Sequence, residues 1–280
     1  MEPGDKGRSA RVAPAAPADP AATADDATGA AARGEFAVRL AGVTKTFRDG
    51  GAPVLDGIDL DVAPGEFVCL LGASGCGKST LLNIAADLDK PTQGTVEVPA
   101  GRAALMFQES ALFPWLTAGQ NIDLALRLRG LSGRRERRAE AERLLKLVRL
   151  QDAYDKRPHQ LSGGMRQRVA LARSLAQDSS VLLMDEPFAA LDAITRDVLH
   201  DELVRLWEAT GLAVLFVTHN VREAVRLGQR VVLLSSRPGR VARQWRVDIP
   251  HPRRIEDKDV AELAVEITEH LREEISRHGR

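Results

Sequence analysis

The stretch that decides the fold is Gly72-Ala73-Ser74-Gly75-Cys76-Gly77-Lys78-Ser79-Thr80. The apolar run Phe67–Leu71 comes directly before it and predicts a buried strand, and residues 81–86 follow it with a helical pattern. A strand, a glycine-rich loop and a helix in this order are the context that a phosphate-binding loop requires. The sequence therefore predicts a protein that binds a nucleoside triphosphate.

The residue types in this loop are those that hold a polyphosphate. Glycines let the backbone turn tightly, so that successive N–H groups and the start of the next helix point at the phosphates. We expect Lys78 to reach the β- and γ-phosphates and the Ser79 hydroxyl to bind Mg²⁺.

Composition excludes several other classes of protein. Lys plus Arg and Asp plus Glu number 39 each in 280 residues, so no overall field points to a nucleic-acid partner. The two cysteines, Cys69 and Cys76, lie in the predicted strand and loop, which argues against a disulfide framework or a zinc site and fits a reducing, cytosolic setting. No apolar run approaches the roughly 18 residues of a membrane span. Any membrane role is therefore expected to come through a partner.

Composition and periodicity divide the chain into three parts. Residues 1–34 are mostly Ala, Pro, Gly, Asp and Arg, and we expect a disordered extension because they cannot bury enough apolar surface to offset their ordering entropy. Residues 35–245 are β-rich at first, with strand-like runs at 36–40 and 43–47, and then largely helical. Residues 246–280 form a tail with one apolar helical stripe that we expect to pack on the body: Val260, Ala264, Ile267, Leu271 and Ile275.

A second motif narrows the class of nucleotide-binding protein: Leu161-Ser162-Gly163-Gly164-Met165-Arg166-Gln167-Arg168. Ser162 and the amides of Gly163 and Gly164 form a second helix N-terminus that is able to grip a γ-phosphate. With this motif the chain resembles the ATP-binding cassette (ABC) family, the nucleotide-hydrolysing subunits of ABC transporters, over about residues 36–245.

This resemblance implies a fold, a nucleotide and an assembly. The fold is α/β: a phosphate-loop NTPase core of the ABC-ATPase type, with an antiparallel β subdomain and an inserted helical subdomain at about residues 109–165. The nucleotide is ATP. In proteins that this chain resembles, the signature motif contacts the ATP bound to the other subunit, so that two copies sandwich two ATP molecules head to tail. Asp192 corresponds to the family's D-loop aspartate, which acts across that interface.

Two adjacent acids follow another apolar run, residues 181–184. A strand here fixes the carboxylates of Asp185 and Glu186 at its C-terminal end, beside the phosphates. Asp185 is expected to hold Mg²⁺, through water or directly, and Glu186 to polarise the attacking water as general base. The resemblance supports this assignment, because the pair matches the family's second nucleotide motif.

Three further assignments rest on the resemblance. Gln108 begins the family's Q-loop, whose side chain senses water and Mg²⁺, and His219 matches the switch histidine that contacts the γ-phosphate. Lys78, Gln108, Glu186 and His219 are thus the expected catalytic side chains. Phe47 lies where the family stacks an aromatic ring on adenine, although an aromatic residue at a strand end is often only part of the core.

Local features favour one group of ABC importers. They are residues 113–117 (Phe-Pro-Trp-Leu-Thr), Met165 and residues 235–240 (Ser-Ser-Arg-Pro-Gly-Arg). Together they resemble the import ATPases for aliphatic sulfonates, taurine and nitrate, with the sulfonate type closest. Residues 113–117 lie where the permease's coupling helix docks in such cassettes, although an aromatic-rich loop could equally be buried under the helical subdomain.

The resemblance implies a peripheral protein on the cytoplasmic face of the cell membrane. Its partners would be integral-membrane permease subunits, a second copy of itself and, indirectly, a solute-binding protein. A nitrate or taurine importer, an exporter cassette and a soluble ABC protein of translation or DNA repair remain alternatives. The last class typically carries two cassettes or a long coiled-coil insertion, and this sequence shows neither.

Overall fold

A computed structural model describes residues 36–47, 50–99, 101 and 103–278 of the chain. The extension predicted over residues 1–34 lies outside the described residues. The described residues form these strands: β1 (Val38–Lys45), β2 (Leu55–Val62), β3 (Phe67–Leu71), β4 (Gln93–Glu97), β5 (Ala104–Met106), β6 (Val181–Asp185), β7 (Ala213–Val217), β8 (Arg230–Leu234) and β9 (Val241–Arg246). The α-helices are α1 (Lys78–Ala85), α2 (Ala118–Leu128), α3 (Arg134–Leu147), α4 (Gly163–Leu175), α5 (Ala193–Thr210), α6 (Val221–Leu227) and α7 (Lys258–His278).

The larger sheet carries the phosphate loop near its centre. Its strand order is β5-β6-β7-β3-β8-β9, and neighbouring strands run parallel except for β9, which pairs antiparallel with β8. Every residue of β3 and β7 is buried, which explains their continuous apolar sequences. Along β3, Phe67, Cys69 and Leu71 pack into one apolar core, while Val68 and Leu70 pack into a second core.

The smaller sheet is antiparallel, with the strand order β2-β1-β4. The strand-like runs at 36–40 and 43–47 meet in the single strand β1. Shifts of register on either side of Gly42, whose φ is +58°, absorb the irregularity while pairing with β2 and β4 continues. The two sheets and their helices confirm the predicted α/β fold with an antiparallel β portion.

Two helices, α2 and α3, follow β5 and precede α4 in the chain. Helix α2 begins with a capping box: the Thr117 hydroxyl accepts from the Gln120 N–H at 3.2 Å, and the Gln120 side chain accepts from the Thr117 N–H at 2.9 Å. Both helices bury apolar side chains in the same core as α4, among them Leu126 and Leu144.

The apolar stripe of α7 packs on the body as expected, except at its end. Val260, Ala264 and Ile267 are buried in the main core. Ile275 is 48% exposed, so the prediction was wrong there. The buried side of the last turn is instead taken by Glu274, whose carbonyl accepts from the Ser236 hydroxyl and whose carboxylate accepts from Arg277.

Arg253, which is only 5% exposed, ties the segment before α7 to the body. Its guanidinium donates to four main-chain carbonyl oxygens: Val225 (2.7 Å), Gly228 (2.6 Å), Val247 (3.2 Å) and Ile249 (2.7 Å). Burial lowers the pKa of Arg253 to about 10, which leaves the side chain charged at neutral pH. The planar guanidinium thus supplies hydrogen-bond donors to main-chain carbonyl groups that folding removes from water.

No helix of the described ranges is both long and apolar enough to cross a membrane.

The Arg253 network predicts a large loss of stability on substitution. R253M keeps much of the side chain's length but removes every donor, which leaves buried carbonyls unpaired. We expect the free energy of unfolding in urea to fall by about 2–4 kcal/mol. R254M, at the exposed neighbouring position, is the matched control and should change it by less than about 0.5 kcal/mol. Equal stability of the two variants would contradict this role for Arg253.

Candidate nucleotide site

Three parallel strands end at the same level and bring the predicted site residues to one edge of the sheet. Leu70 of β3 pairs with Val217 of β7, which pairs with Asp185 of β6. The ladder continues beyond the strands, because the Thr218 N–H donates to Leu70 O at 3.1 Å and the Glu186 N–H donates to Val217 O at 3.0 Å. The phosphate loop, the paired acids and the segment with His219 therefore leave the sheet together.

The phosphate loop turns back on itself around the Lys78 side chain. Gly75 and Gly77 have φ values of +78° and +102°, a conformation that favours glycine. Lys78 is 5% exposed, and its Nζ donates to Gly72 O at 2.8 Å and to Ala73 O at 3.0 Å. The ammonium group is thus held inside the loop, where it neutralises carbonyl dipoles. Phosphate oxygens are stronger acceptors and can replace those carbonyls.

The stretch at 235–240, which the sequence marked only as a feature of the subfamily, lies directly against the phosphate loop. Arg237 Nε donates to Gly75 O at 3.0 Å. A Cβ added to Gly239 would lie 2.2 Å from Cys76 O, so only glycine permits this approach. No local sequence signal indicates these contacts, because they join residues far apart in the chain.

Asp185 and Ser79 form a small oxygen-ligand pair. The Ser79 side chain lies beside the Asp185 carboxylate and acts to lower the pKa of that acid. Burial raises the pKa of Asp185, and the neighbouring charge of Glu186 adds to this effect. Within the described residues, no group of three or more His, Cys, Asp and Glu side chains could hold a metal by itself. The pair fits Mg²⁺, which commonly takes one or two protein oxygens together with phosphates and water.

Glu186 and His219 meet across the ends of β6 and β7. His219 Nδ1 donates to Glu186 Oε2 at 2.8 Å, and the His219 side chain is 60% exposed. Glu186 has a φ of +43°, which for a residue with a side chain costs about 1–3 kcal/mol. Backbone bonds to Val217 O (3.0 Å) and from Ala189 N–H (3.2 Å) hold it there. Backbone strain at a residue such as Glu186 is typical of a functional site.

The signature residues lie at a second place, where two helices begin side by side. The Ser162 hydroxyl caps α4 by accepting from the Met165 N–H at 3.2 Å. Asp192 caps α5 by accepting from the Thr195 N–H at 3.0 Å, and the hydrogen bonds to Thr195 lower the pKa of Asp192. A Cβ on Gly164 would lie 2.5 Å from Thr195 Cγ2, so the two helix starts are in close contact. A Cβ on Gly163 would lie 3.5 Å from Leu191 Cδ2, an ordinary contact distance.

Gln108 and Phe47 both lie on the surface. The Gln108 carbonyl accepts from Nε2 of the buried Gln167 on α4 at 2.8 Å, which joins the start of the Q-loop to the signature helix. Phe47 is 62% exposed, so it is not a core residue. Lys45 Nζ lies 5.1 Å from the centre of its ring. An open aromatic face remains available for stacking.

The aromatic loop at 113–117 is exposed, so the alternative that it is buried is wrong. Trp115 is 67% and Phe113 38% exposed, with their ring centres 5.5 Å apart. The buried Asn121 fixes the loop by accepting from the Phe113 N–H at 2.9 Å and donating to Thr117 O at 2.9 Å. Beside it lies a groove of about 550 Å³ whose lining includes Phe107, Phe113 and Leu128.

Comparisons with known proteins agree with this site. The family model for ABC transporters matches residues 55–189. The taurine import ATP-binding protein of Mesorhizobium japonicum is 50% identical, over 69% of this chain and 78% of its own length. The nitrate import ATP-binding protein of Synechocystis is 46% identical over 72% and 78%, and an aliphatic sulfonates import ATP-binding protein of Streptomyces avermitilis is 48% identical over 84% and 86%.

A solved structure matches as well. It is a dimeric ATP-binding cassette in a post-hydrolysis state with ADP and Pi, with a TM-score of 0.67 and 36% identity, covering 76% of this chain and all of that one. An α/β cassette with a phosphate loop beside strand-end acids is the fold of an ATP-hydrolysing domain. The chain belongs to the ABC transporter family and is an ATPase that binds ATP.

The environment of the two cysteines predicts slow reaction with thiol reagents. Burial raises the pKa of Cys76, although the charge of Lys78 opposes this, and burial raises that of Cys69 well above its usual range. Both thiols are at most 1% exposed. In the native protein at pH 7.5 we expect both to react with iodoacetamide about 100-fold more slowly than in urea, with Cys69 the slower. Reaction of native Cys76 at the rate seen in urea would show that the phosphate loop is open in solution.

Proposed function

We propose that this ATPase hydrolyses ATP by in-line attack of a water molecule that Glu186 orients. The observation that carries the proposal is the Glu186–His219 pair at 2.8 Å, placed at the strand ends beside the phosphate loop. The Glu186 carboxylate accepts a proton from the water as general base, and His219 fixes the direction of that carboxylate. Nε2, on the other side of the ring, donates to the γ-phosphate when both ring nitrogens carry a proton.

The remaining phosphate contacts follow from the loop. Lys78 exchanges its bonds to Gly72 O and Ala73 O for phosphate oxygens and so balances their charge. The backbone N–H groups of residues 72–80 line the same phosphates. Ser79, Gln108 and Asp185 are the proposed ligands of Mg²⁺, and the ion would neutralise negative charge on the phosphates. Phe47 is the proposed stacking partner of adenine.

The second group of site residues is proposed to act on a second copy of the chain. Ser162, Gly163 and Gly164 present a helix start to the γ-phosphate of the facing subunit, with Asp192 at the interface. Ile194, in the first turn of α5 next to Asp192, is 80% exposed and lacks a partner surface within the described monomer. The dimeric state of the solved relative supports this arrangement.

The proposed physiological role is import of a small anion. The chain would attach to the cytoplasmic face of the cell membrane through an integral-membrane permease, with a solute-binding protein delivering the solute. The exposed Trp115 and the adjoining groove are the proposed docking site for the permease. An aliphatic sulfonate is the first candidate, because the sulfonate relative is matched over the largest share of this chain among the three importers compared. Taurine and nitrate are the alternatives.

The proposed organisation keeps the boundaries expected above. They are an extension over residues 1–34, an ABC ATPase domain over 35–245 with its helical subdomain at about 109–165, and a C-terminal helical tail over 246–280. The balanced charge supports the absence of a nucleic-acid partner.

Two substitutions separate binding from hydrolysis. E186Q keeps the side chain's shape but removes the base, so we expect ATP binding to persist, turnover to fall about 100-fold or more, and the protein to elute as a dimer with ATP. K78A is the matched variant for binding and should weaken ATP affinity itself, as measured by fluorescence titration. Normal turnover by E186Q would refute the assignment of the base, and unchanged affinity in K78A would refute the loop geometry.

Docking is tested at Trp115. W115A removes the most exposed aromatic side chain of the loop, and we expect it to retain at least fivefold less permease on co-purification, because aromatic anchors dominate interface energies. L88A, which removes an equally exposed apolar side chain at the end of α1, is the control and should retain the wild-type amount. Equal retention by both variants would place the permease elsewhere.

The substrate is tested with the reconstituted importer. With permease and solute-binding protein present, ATPase activity would be measured with an alkanesulfonate, taurine or nitrate. Stimulation by the alkanesulfonate alone is the expected result. Stimulation by taurine or nitrate instead would select one of the alternatives, and robust ATPase activity without recovery of any permease would favour a soluble ABC protein.

A further inference from the structure

A buried carboxylate lies behind the proposed catalytic pair, on a residue that the sequence analysis did not single out. Glu223 of α6 is 7% exposed, and its two closest polar neighbours, His200 of α5 and Thr218, are 2% exposed each. All the other buried residues of α6 are apolar. A glutamate in such a helix face is the sequence signal that could have revealed the site.

Both oxygens of this carboxylate have a partner. His200 Nε2 donates to Glu223 Oε1 at 2.6 Å, and the Thr218 hydroxyl donates to Glu223 Oε2. The Thr218 hydroxyl also accepts from the Asn220 N–H at 2.9 Å. The Asn220 side chain in turn accepts from the N–H groups of Arg222 and Glu223. Residues 218 and 220 are therefore both fixed, and His219 lies between them.

The same carboxylate joins this segment to α5. Helices α5 and α6 are further linked by Arg226, which donates to Asp197 at 2.6 Å and to Asp201 at 2.8 Å. Helix α5 begins at its cap Asp192, and Arg196 in its first turn donates to Leu191 O at 2.7 Å. A cavity of about 30 Å³ lies between α5 and the His219 segment, and its lining includes Glu186, Arg196, His219 and Glu223. The Glu223 carboxylate thus connects α5, the helix expected at the dimer interface, with the segment that carries His219.

Burial of a charged group is costly, so this position calls for an explanation beyond packing. An apolar side chain of similar size would fill the space without the cost of desolvation, and such replacements are often neutral or stabilising. A carboxylate supplies what an apolar group cannot, namely two acceptors in one plane that fix His200 and Thr218 in a single mutual orientation. Precise orientation is what the His219–Glu186 contact at 2.8 Å needs.

We propose that Glu223 is a positioning residue for ATP hydrolysis: it holds His219 against Glu186 and links both to α5. The inference rests on the proposed function, since it assumes the roles given above to Glu186 and His219. The observed partners of the Glu223 carboxylate are His200 and Thr218. Glu223 acts through His219, and the effect of its loss should disappear when His219 is absent.

A double-mutant cycle tests this dependence. E223Q keeps the side chain's size, but its amide cannot accept from both His200 and Thr218. We expect kcat to fall about tenfold while ATP affinity stays within about twofold, because the phosphate loop is built from other residues. In an H219A background, E223Q should lower kcat by less than a further twofold. E208Q, on the exposed side of α5, is the matched control for the loss of a carboxylate and should behave as wild type.

A second pair of variants covers the case in which E223Q does not fold. H200Q retains an N–H donor towards Glu223, whereas H200L has a similar volume without a donor. We expect H200L to lose kcat about tenfold with ATP affinity within about twofold of wild type, and H200Q to recover most of that loss. Equal kcat in H200L and H200Q would overturn the proposal.

The outcomes distinguish this inference from the function on which it rests. Wild-type turnover by H219A would overturn the proposed role of His219 and with it the positioning role. A slow H219A beside a full-rate E223Q would overturn the positioning role alone. An E223Q loss that is equally large in the wild-type and H219A backgrounds would show that Glu223 acts independently of His219, and would also overturn it.

Discussion

Parallel pairing of β6, β7 and β3 is the constraint on which the site depends. It sets Asp185, Val217 and Leu70 in one row, so three chain segments leave the sheet at the same edge. The first carries the paired acids, the second His219 and the third the phosphate loop. Because both faces of these strands are buried in apolar cores, a one-residue slip would move each side chain into the opposite core and disrupt the packing of both. The proposed catalytic groups, which are distant in sequence, thus acquire fixed separations.

Several features at this edge are unfavourable for the protein alone. Asp185 is a half-buried acid whose pKa is raised by burial, Glu186 has a positive φ, and the Lys78 ammonium is buried among carbonyls. Each of them suits a nucleotide that brings phosphates and a cation. The sheet and the contacts around it supply the stability that these groups lack. The buried Glu223 carboxylate, bonded to His200, is a further costly group at this edge. In our proposal, the benefit that offsets this cost is the orientation of His219.

Much of the fold could be predicted because its signals are local. The apolar runs of β3, β6 and β7, the loop glycines and the serine cap of α4 each lie within a few residues, and the resemblance carried by these motifs implied the α/β class. Contacts between distant segments could not be predicted. His200 and Glu223 are 23 positions apart, and Arg237 meets Gly75 across 162 positions. The prediction that Ile275 packs on the body was wrong for a related reason, because the surface under the last turn of α7 selects which side of the helix is buried. In the proposed importer the solute is recognised by other subunits, so this sequence carries only indirect signals for it.

In our proposal, the phosphate loop exchanges the hydrogen bonds between Lys78 and its own carbonyls for bonds to the phosphates of a nucleotide. The most direct measurement is a crystal structure with Mg²⁺ and a non-hydrolysable ATP analogue. We expect Lys78 Nζ to leave Gly72 O and Ala73 O, which now lie at 2.8 and 3.0 Å, and to bind the β- and γ-phosphates, with Glu186 and His219 facing the γ-phosphate. A nucleotide bound elsewhere, with Lys78 still bonded to its own loop, would contradict the account.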